Sequence, residues 1–163
     1  MRSFEKKRSH IEKLTRLNVN RSFNEFLLID NDLDGVLEKW SLNNFSLDLP
    51  DKWELSFTAY VEGKAVGYMI CSKKENNTHI HRIAICKEYQ RMNIGNNLIR
   101  TLENRIGSGE KITLKVKKFN FVAIKFYKKN GFIIYGEEDC NYLYEKTVGD
   151  EIDKKGTCNE CAS

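Results

Sequence analysis

No apolar run in this chain is long enough to cross a bilayer. The longest, from Ala65 to Cys71, is interrupted by Gly67, and a spanning helix needs about 20 such residues. No secretory leader is readable either, because the basic start Met1-Arg2-Ser3-Phe4-Glu5-Lys6-Lys7-Arg8 is followed by no apolar segment. The expected compartment is therefore the cytoplasm, and no membrane partner is expected. Cysteine supplies no disulfide framework: the five residues Cys71, Cys86, Cys140, Cys158 and Cys161 are odd in number and irregular in spacing. Cys71 and Cys86 lie in strand-like apolar contexts and read as buried small hydrophobes. The Cys158-x-x-Cys161 pair lacks two further ligands at a zinc-site spacing, so no metal is expected. Proline is reduced to Pro50, a shortage that reads as base composition of the gene. Neither G-x-x-x-x-G-K-[ST] nor G-x-G-x-x-G occurs, which removes the nucleoside triphosphatase and dinucleotide readings.

What is present is an ordinary soluble composition, 31% charged and 40% hydrophobic over 163 residues. One domain with a real core is the natural reading. The net charge of +4 suits an anionic small ligand. It is too small and too mixed in sign to argue for nucleic acid, and no nucleic-acid motif accompanies it.

The stretch from Ile80 to Ile99 organises the rest. Ile80, Ile83 and Ile85 mark a β-branched strand. Leu98, Ile99, Leu102 and Ile106 recur at helical spacing. Between them Gln90-Arg91-Met92-Asn93-Ile94-Gly95 forms a turn into a helix N-terminus. There the first helical N–H groups lack partners and the helix dipole favours an anion, so the geometry suits phosphate.

A second motif follows at Asn120-Phe121-Val122-Ala123-Ile124-Lys125-Phe126-Tyr127-Lys128-Lys129-Asn130-Gly131-Phe132. Gln90-x-x-Asn93-x-Gly95 resembles the Q/R-x-x-G-x-G/A pyrophosphate loop of the GCN5-related N-acetyltransferases, the GNAT family. The later segment is similar to that family's N-x-x-A-x-x-F/L-Y-x-x-x-G-F. The two motifs cover roughly residues 78–135, and the family fold is expected over about 53–147. The resemblance implies an α/β fold (an α+β mixed sheet), with antiparallel strands leading into a parallel pair and helices on both faces.

Along the chain, His10–Leu14 reads as a helical turn. Phe23 to Ile29 reads as a first strand or a helix entry, and Leu33–Trp40 as a helix. Residues 41–52 read as loop with room for a short helix. Residues 54–61 alternate as a strand, Glu62-Gly63-Lys64 as a hairpin turn, Ala65–Cys71 as the returning strand and 78–86 as the next. A helix Asn96–Arg105 is expected to stop near Gly107, followed by a strand Lys111–Val116. A helix capped by Asn120 should stop at Asn130-Gly131. Strands Phe132–Tyr135 and Tyr142–Glu145 close the sheet. Residues 1–147 are expected to form a single domain, with 1–52 as a variable substrate wall and 148–163 as a disordered tail.

The resemblance also implies the site. Gln90, Arg91, Met92, Asn93, Ile94, Gly95 and Asn96 would hold the pyrophosphate of acetyl-CoA, the co-substrate. Asn93 stands where the family uses glycine, and asparagine is a tolerant substitute in a left-handed conformation. The backbone of Ile83, Ala84 and Ile85 would hold the pantetheine arm and the acetyl carbonyl. Asn120 would reach the pantetheine, or act only as a helix cap. Tyr127 would give a proton to the departing thiolate; the alternative is a core tyrosine. His79 occupies the position of a catalytic glutamate in histone-acetylating members. His81, two residues on, shares its face. Either could serve as the base, or both could be an ordinary solvated pair. Lys115 stands where some protein N-terminal acetyltransferases keep Glu or His. The lysines of 115–118 and 125–129 read as solvated faces, with contact to the cofactor's 3′-phosphate as the functional option.

The expected function is acetyl transfer from acetyl-CoA to an amine by direct attack in a ternary complex. No cysteine sits at a matched position for a covalent route. The acceptor is a small molecule or a protein amine, and the protein a monomer or homodimer. The rival is a non-catalytic acyl-CoA-binding or regulatory protein on the same fold. Asp30, Asp32, Asp34, Asp48 and Asp51 suggest an acidic wall that would favour cationic acceptors.

Overall fold

The computed structural model describes residues 7–33 and 38–149. Two mostly buried strands, β2 (Phe57–Val61) and β3 (Lys64–Lys74), are joined at Glu62-Gly63. Both turn residues have positive φ, 50° and 77°, the geometry that lets a two-residue turn match strand twist. β4 (Asn77–Ile85) returns against β3. A 3-10 turn (Lys87–Tyr89) then leads into α4 (Ile94–Ile106). β5 (Lys111–Lys117) follows, then α5 (Phe121–Lys129), β6 (Ile133–Glu138) and β7 (Asn141–Thr147). Ahead of β2 lie β1 (Ser9–Lys13), α1 (Arg16–Asn31), α2 (Leu42–Ser46) and the short α3 (Lys52–Leu55).

The seven strands among the described residues form one sheet in the order β1-β2-β3-β4-β5-β7-β6. β4 and β5 are its parallel pair, and every other neighbouring pair is antiparallel. Two apolar clusters cover its faces. One gathers Ile80, Leu98, Ile99, Leu102, Ile112, Leu114, Val116, Tyr127 and Tyr144 under α4 and α5. The other gathers Val19, Phe26, Ile29, Phe45, Tyr68, Ile70 and Ala84 under α1 and α2. The second cluster contains no residue of β5, β6 or β7. That half of the sheet is open on this face among the described residues.

Four local expectations change. Residues 9–13 pair with β2 as an edge strand instead of forming a helical turn; the partner lies about 50 residues away, beyond any local signal. Residues 52–55 are a helical turn, so β2 starts at Phe57 rather than Glu54. Leu33 is a turn residue and 38–40 are irregular, so the expected helix over 33–40 is absent there; 34–37 lie outside the described residues. Val148 packs against the core and exchanges backbone bonds with Gly109 and Glu110 at 2.8 Å each. The ordered chain therefore runs past 147 to at least Gly149. Residues 150–163, with Cys158 and Cys161, lie outside the described residues.

Candidate active site

The site begins with a change of parity in β4. Ile80, Ile83 and Ile85 face the α4–α5 cluster, while Ala84 faces the α1–α2 cluster. Ile80 and Ile83 are three positions apart, an odd step, so strict alternation fails between them. The β3–β4 register shows where: Ile70 pairs with Arg82 and Cys71 with Ile80, leaving His81 as an extra residue. Such a bulge bends the strand and re-aims side chains. After it, β4 leaves β5. The parallel pairing covers only Thr78–Ile80 against Ile112–Leu114. Beyond it Arg82–Ile85 and Lys115–Lys117 share no ladder, and a gap opens through the sheet.

The backbone facing that gap can be assigned. Cys86 N–H donates to Val66 O on β3 at 2.8 Å. In a strand, successive residues direct N–H and C=O to opposite edges. Ile83 and Ile85 therefore point theirs away from β3, into the gap. Consistently, Gln90 Nε2 donates to Ile85 O at 3.2 Å from the far side.

Below the gap, Asn93 takes the left-handed conformation (φ 63°, ψ 20°) immediately before α4 and makes no side-chain cap to the helix amides. Its carboxamide oxygen instead accepts from Asn96 Nδ2. The first α4 amides are thus directed outward with no capping side chain, as an anion site requires. Gly95 is needed for a different reason. A Cβ there would stand 2.9 Å from Phe126 Cε2, so glycine lets the start of α4 seat against α5. Asn130 Nδ2 donates to Asn96 Oδ1 at 2.8 Å across the same contact. Asn120 accepts from Ala123 N–H at 3.2 Å as the α5 cap.

Tyr127 lies in the cluster on this side, its ring 5.5 Å from Phe132 and 5.2 Å from Phe126. Burial, with the Cys71 thiol nearby, raises its hydroxyl pKa well above the ordinary value. His79 and His81 lie on the opposite face, the open one, with ring centroids 4.9 Å apart. His79 Nδ1 bonds Thr113 Oγ1 at 2.9 Å and His81 Nε2 bonds Ser72 Oγ at 2.6 Å. Burial, His81, Lys74 and Lys115 push the His79 pKa down to about 4. Burial, Lys74 and Lys52 lower that of His81. Lys52 is itself buried, donating to the carbonyls of Phe45 and Leu47, and burial pushes its pKa down to about 8.

His79 binds its proton less readily folded than unfolded. The unfolded chain therefore takes up more protons between pH 6.5 and about 4, and stability falls as pH drops through that window. Urea melts at pH 7 and pH 4.5 should show a loss that His79→Gln reduces, the remainder including the share of His81.

The acidic wall does not form as expected. Asp30 is buried against Arg82 and Tyr68. Asp32 accepts from Lys87 N–H at 3.1 Å. Asp48 pairs with Arg16 and accepts from Trp53 Nε1, and Asp51 is the residue before α3. Asp34 lies outside the described residues. The carboxylates of Asp30, Asp32 and Asp48 are engaged by the fold itself. Cys86, expected in the core, is only partly buried and donates its thiol proton to Asp32 at 3.3 Å.

The acetyltransferase (GNAT) family model matches residues 19–132. This chain belongs to that family. An uncharacterized N-acetyltransferase of Methanocaldococcus jannaschii is 35% identical over 113 residues, 62% of this chain and 72% of that protein. N-alpha-acetyltransferase 20 of Dictyostelium discoideum is 30% identical over 142 residues, 76% of this chain and 80% of the relative. Among solved structures, the PaiA N-acetyltransferase of Thermoplasma acidophilum in complex with coenzyme A superposes with a TM-score of 0.67 at 19% identity, covering 86% of this chain and 99% of that one. Membership of this family makes the chain an acyl-CoA-dependent N-acetyltransferase, with acetyl-CoA as co-substrate. The outward amides before α4 and the unpaired edge of β4 fit that ligand. Among the described residues no cluster of His, Cys, Asp or Glu is placed to hold a metal, and no helix is long and apolar enough to span a membrane.

Two features of the site escaped sequence reasoning. The bulge at His81 leaves no local mark, because Ile80-His81-Arg82-Ile83 also reads as plain strand. Ser72 and Thr113 were invisible because cross-strand register alone brings them to the histidines.

Proposed function

We propose that the acetyl group passes directly to an amine with both substrates bound at once, and that the first acceptor class to test is the α-amine of a polypeptide. The observation that carries the reading is the parting of β4 from β5, which joins the phosphate side of the sheet to its open side. Residues 90–96 hold the pyrophosphate, the Ile83–Ile85 backbone the pantetheine arm and acetyl carbonyl, and Asn120 its polar middle. Bound acetyl-CoA supplies an activated thioester. This chain's residues handle the protons. On the open face an imidazole of the His79–His81 pair takes the proton that the amine loses as its nitrogen bonds to the acyl carbon. On the other face the Tyr127 hydroxyl donates to the sulfur as the carbon–sulfur bond breaks.

A covalent acetyl-cysteine is disfavoured because burial raises the Cys71 pKa strongly, and burial with Asp32 raises that of Cys86. The α-amine choice draws on the Dictyostelium relative's name and on the face of β5, β7 and β6 that no helix among the described residues covers, where an extended chain end has room to approach. We place the reaction in the cytoplasm, in keeping with the free thiols of Cys71, Cys86 and Cys140. The enzyme works as a monomer or homodimer, without nucleic acid or membrane.

A thermal-shift titration tests the cofactor half. Acetyl-CoA at about 100 times its Kd should add about 2.7 kcal/mol of stability. Gly95→Arg, which drives a side chain into the phosphate loop and against Phe126, should abolish the gain. An amine panel scored by release of free CoA then tests transfer. A stability shift with no CoA release from any peptide or small amine would favour the non-catalytic rival.

A further inference from the structure

We infer that Ser72 is a positioning residue that makes His81, rather than His79, the proton acceptor, with Thr113 holding His79 as a neutral wall. This rests on the reading above that the amine loses its proton at the histidine pair.

The bulge creates the asymmetry. In the β3–β4 ladder Ser72 stands opposite His79, not His81, yet its hydroxyl lies 2.6 Å from His81 Nε2. His81, displaced by the extra residue, leans over its neighbour's cross-strand partner. Thr113 stands opposite His79 on β5 and takes His79 Nδ1 at 2.9 Å. Each ring therefore has one nitrogen engaged, Nε2 in His81 and Nδ1 in His79. The two nitrogens left are His81 Nδ1 and His79 Nε2.

The surroundings separate the rings further. Lys74 on β3, Lys115 on β5 and Lys52 from α3 are the charged groups acting on the pair. Lys115 is bridged to Glu138 of β6 and Lys73, beside Lys74, to Glu110. His79 is buried between its strand neighbours, whereas His81 is the more exposed of the two, its contact with Ser72 only part-buried. Proton uptake is thus easier at His81, where water can solvate the cation.

A neutral imidazole accepts at Nδ1 only if Nε2 already carries hydrogen. Ser72 Oγ must then be the acceptor of His81 Nε2–H. When the amine proton arrives at Nδ1, that same bond becomes charge-assisted and stronger. In this arrangement Ser72 does two things through His81: by accepting from Nε2–H it leaves the Nδ1 lone pair free, and it favours the imidazolium.

The chain has three histidines, His10, His79 and His81, so ring nitrogen signals are assignable by single substitutions. Long-range proton–nitrogen NMR at pH 7.5 should show His81 as the Nε2–H tautomer in the wild type and as a mixture in Ser72→Ala. The pH–rate profile of Ser72→Ala should show kcat reduced about tenfold and its acid limb moved to lower pH, because the imidazolium has lost its acceptor. Ser72→Thr should restore both. Thr113→Val should disturb the His79 signals and leave the acid limb in place. Acetyl-CoA affinity should not change in any of these variants. A wild-type His81 in the Nδ1–H form, or a Ser72→Ala enzyme with an unmoved acid limb, overturns the inference. The tautomer measurement needs no turnover, so an absence of acetyl transfer would count against the catalytic reading and not against the Ser72–His81 pairing.

Discussion

Tyr127→Phe is expected to lower kcat about 100-fold while leaving acetyl-CoA affinity unchanged. The two effects separate because the ring and the hydroxyl do different jobs. The ring is held among Phe126, Phe132 and Tyr144, with the Tyr144 centroid 6.4 Å away, and phenylalanine preserves that packing. The hydroxyl, its pKa raised by burial, stays protonated throughout the working range. In the proposed mechanism it offers a hydrogen where negative charge grows on a leaving sulfur, and an interaction of this kind strengthens only in the transition state. Steady-state kinetics should therefore show kcat and kcat/KM falling together. Unchanged turnover in the variant would remove Tyr127 from the mechanism and leave it a core residue.

Arg82→Met should cost about 3–5 kcal/mol of folding stability, the range for stranding one charge of a buried pair. Asp30 is 2% exposed and Arg82 7%. Arg82 Nη2 lies 3.2 Å from Asp30 Oδ1, and Arg82 Nε donates to Tyr68 Oη at 2.8 Å. Tyr68 in turn donates to Asp30, and the guanidinium lies over the Trp40 ring at 5.0 Å. Removing Arg82 leaves a carboxylate in an aromatic interior with only the Tyr68 hydroxyl and the Trp40 backbone N–H as hydrogen-bond donors and no counter-charge. The double replacement Asp30→Leu with Arg82→Met should recover most of the loss, since apolar groups of similar volume replace buried ion pairs at little cost. Urea unfolding with an unchanged slope would report both. A single variant within about 1 kcal/mol of wild type would mean that water reaches Asp30. The cluster joins α1 to β4 immediately after the bulge, so the first helix and the bent strand are secured by the same bonds.

What could be read from the sequence follows from where each signal is stored. Strand β5 and helix α4 were legible because Ile112, Leu114 and Val116 alternate and Leu98, Ile99 and Leu102 repeat within a few residues. Asn93 was legible as a left-handed residue because few side chains tolerate that conformation. Helix α1 was ambiguous because its buried stripe of Val19, Ser22, Phe26, Ile29 and Asp30 includes two polar residues, while Leu28 is exposed. The polar members have partners elsewhere: Asp30 belongs to the Arg82 cluster. Strand β1 was misread because its stability comes from pairing with β2. The acidic wall failed for a related reason, since counting aspartates says nothing about which of them already have partners. The motif around Gln90–Gly95 pointed to phosphate but not to the parting of the strands beside it, because that depends on one residue more than the ladder can use.

That surplus residue has a consequence for how the protein can change. The surplus is counted against β3: one codon, His81, puts β4 out of step with its antiparallel neighbour, and the pairing with β5 ends just before it. Substitutions elsewhere in β4 alter the lining of the slot, whereas deleting His81 should bring Arg82–Ile85 back into phase with β3 and straighten the strand beside the entrance. Such a deletion is expected to harm acetyl-CoA binding more than a substitution at the same position.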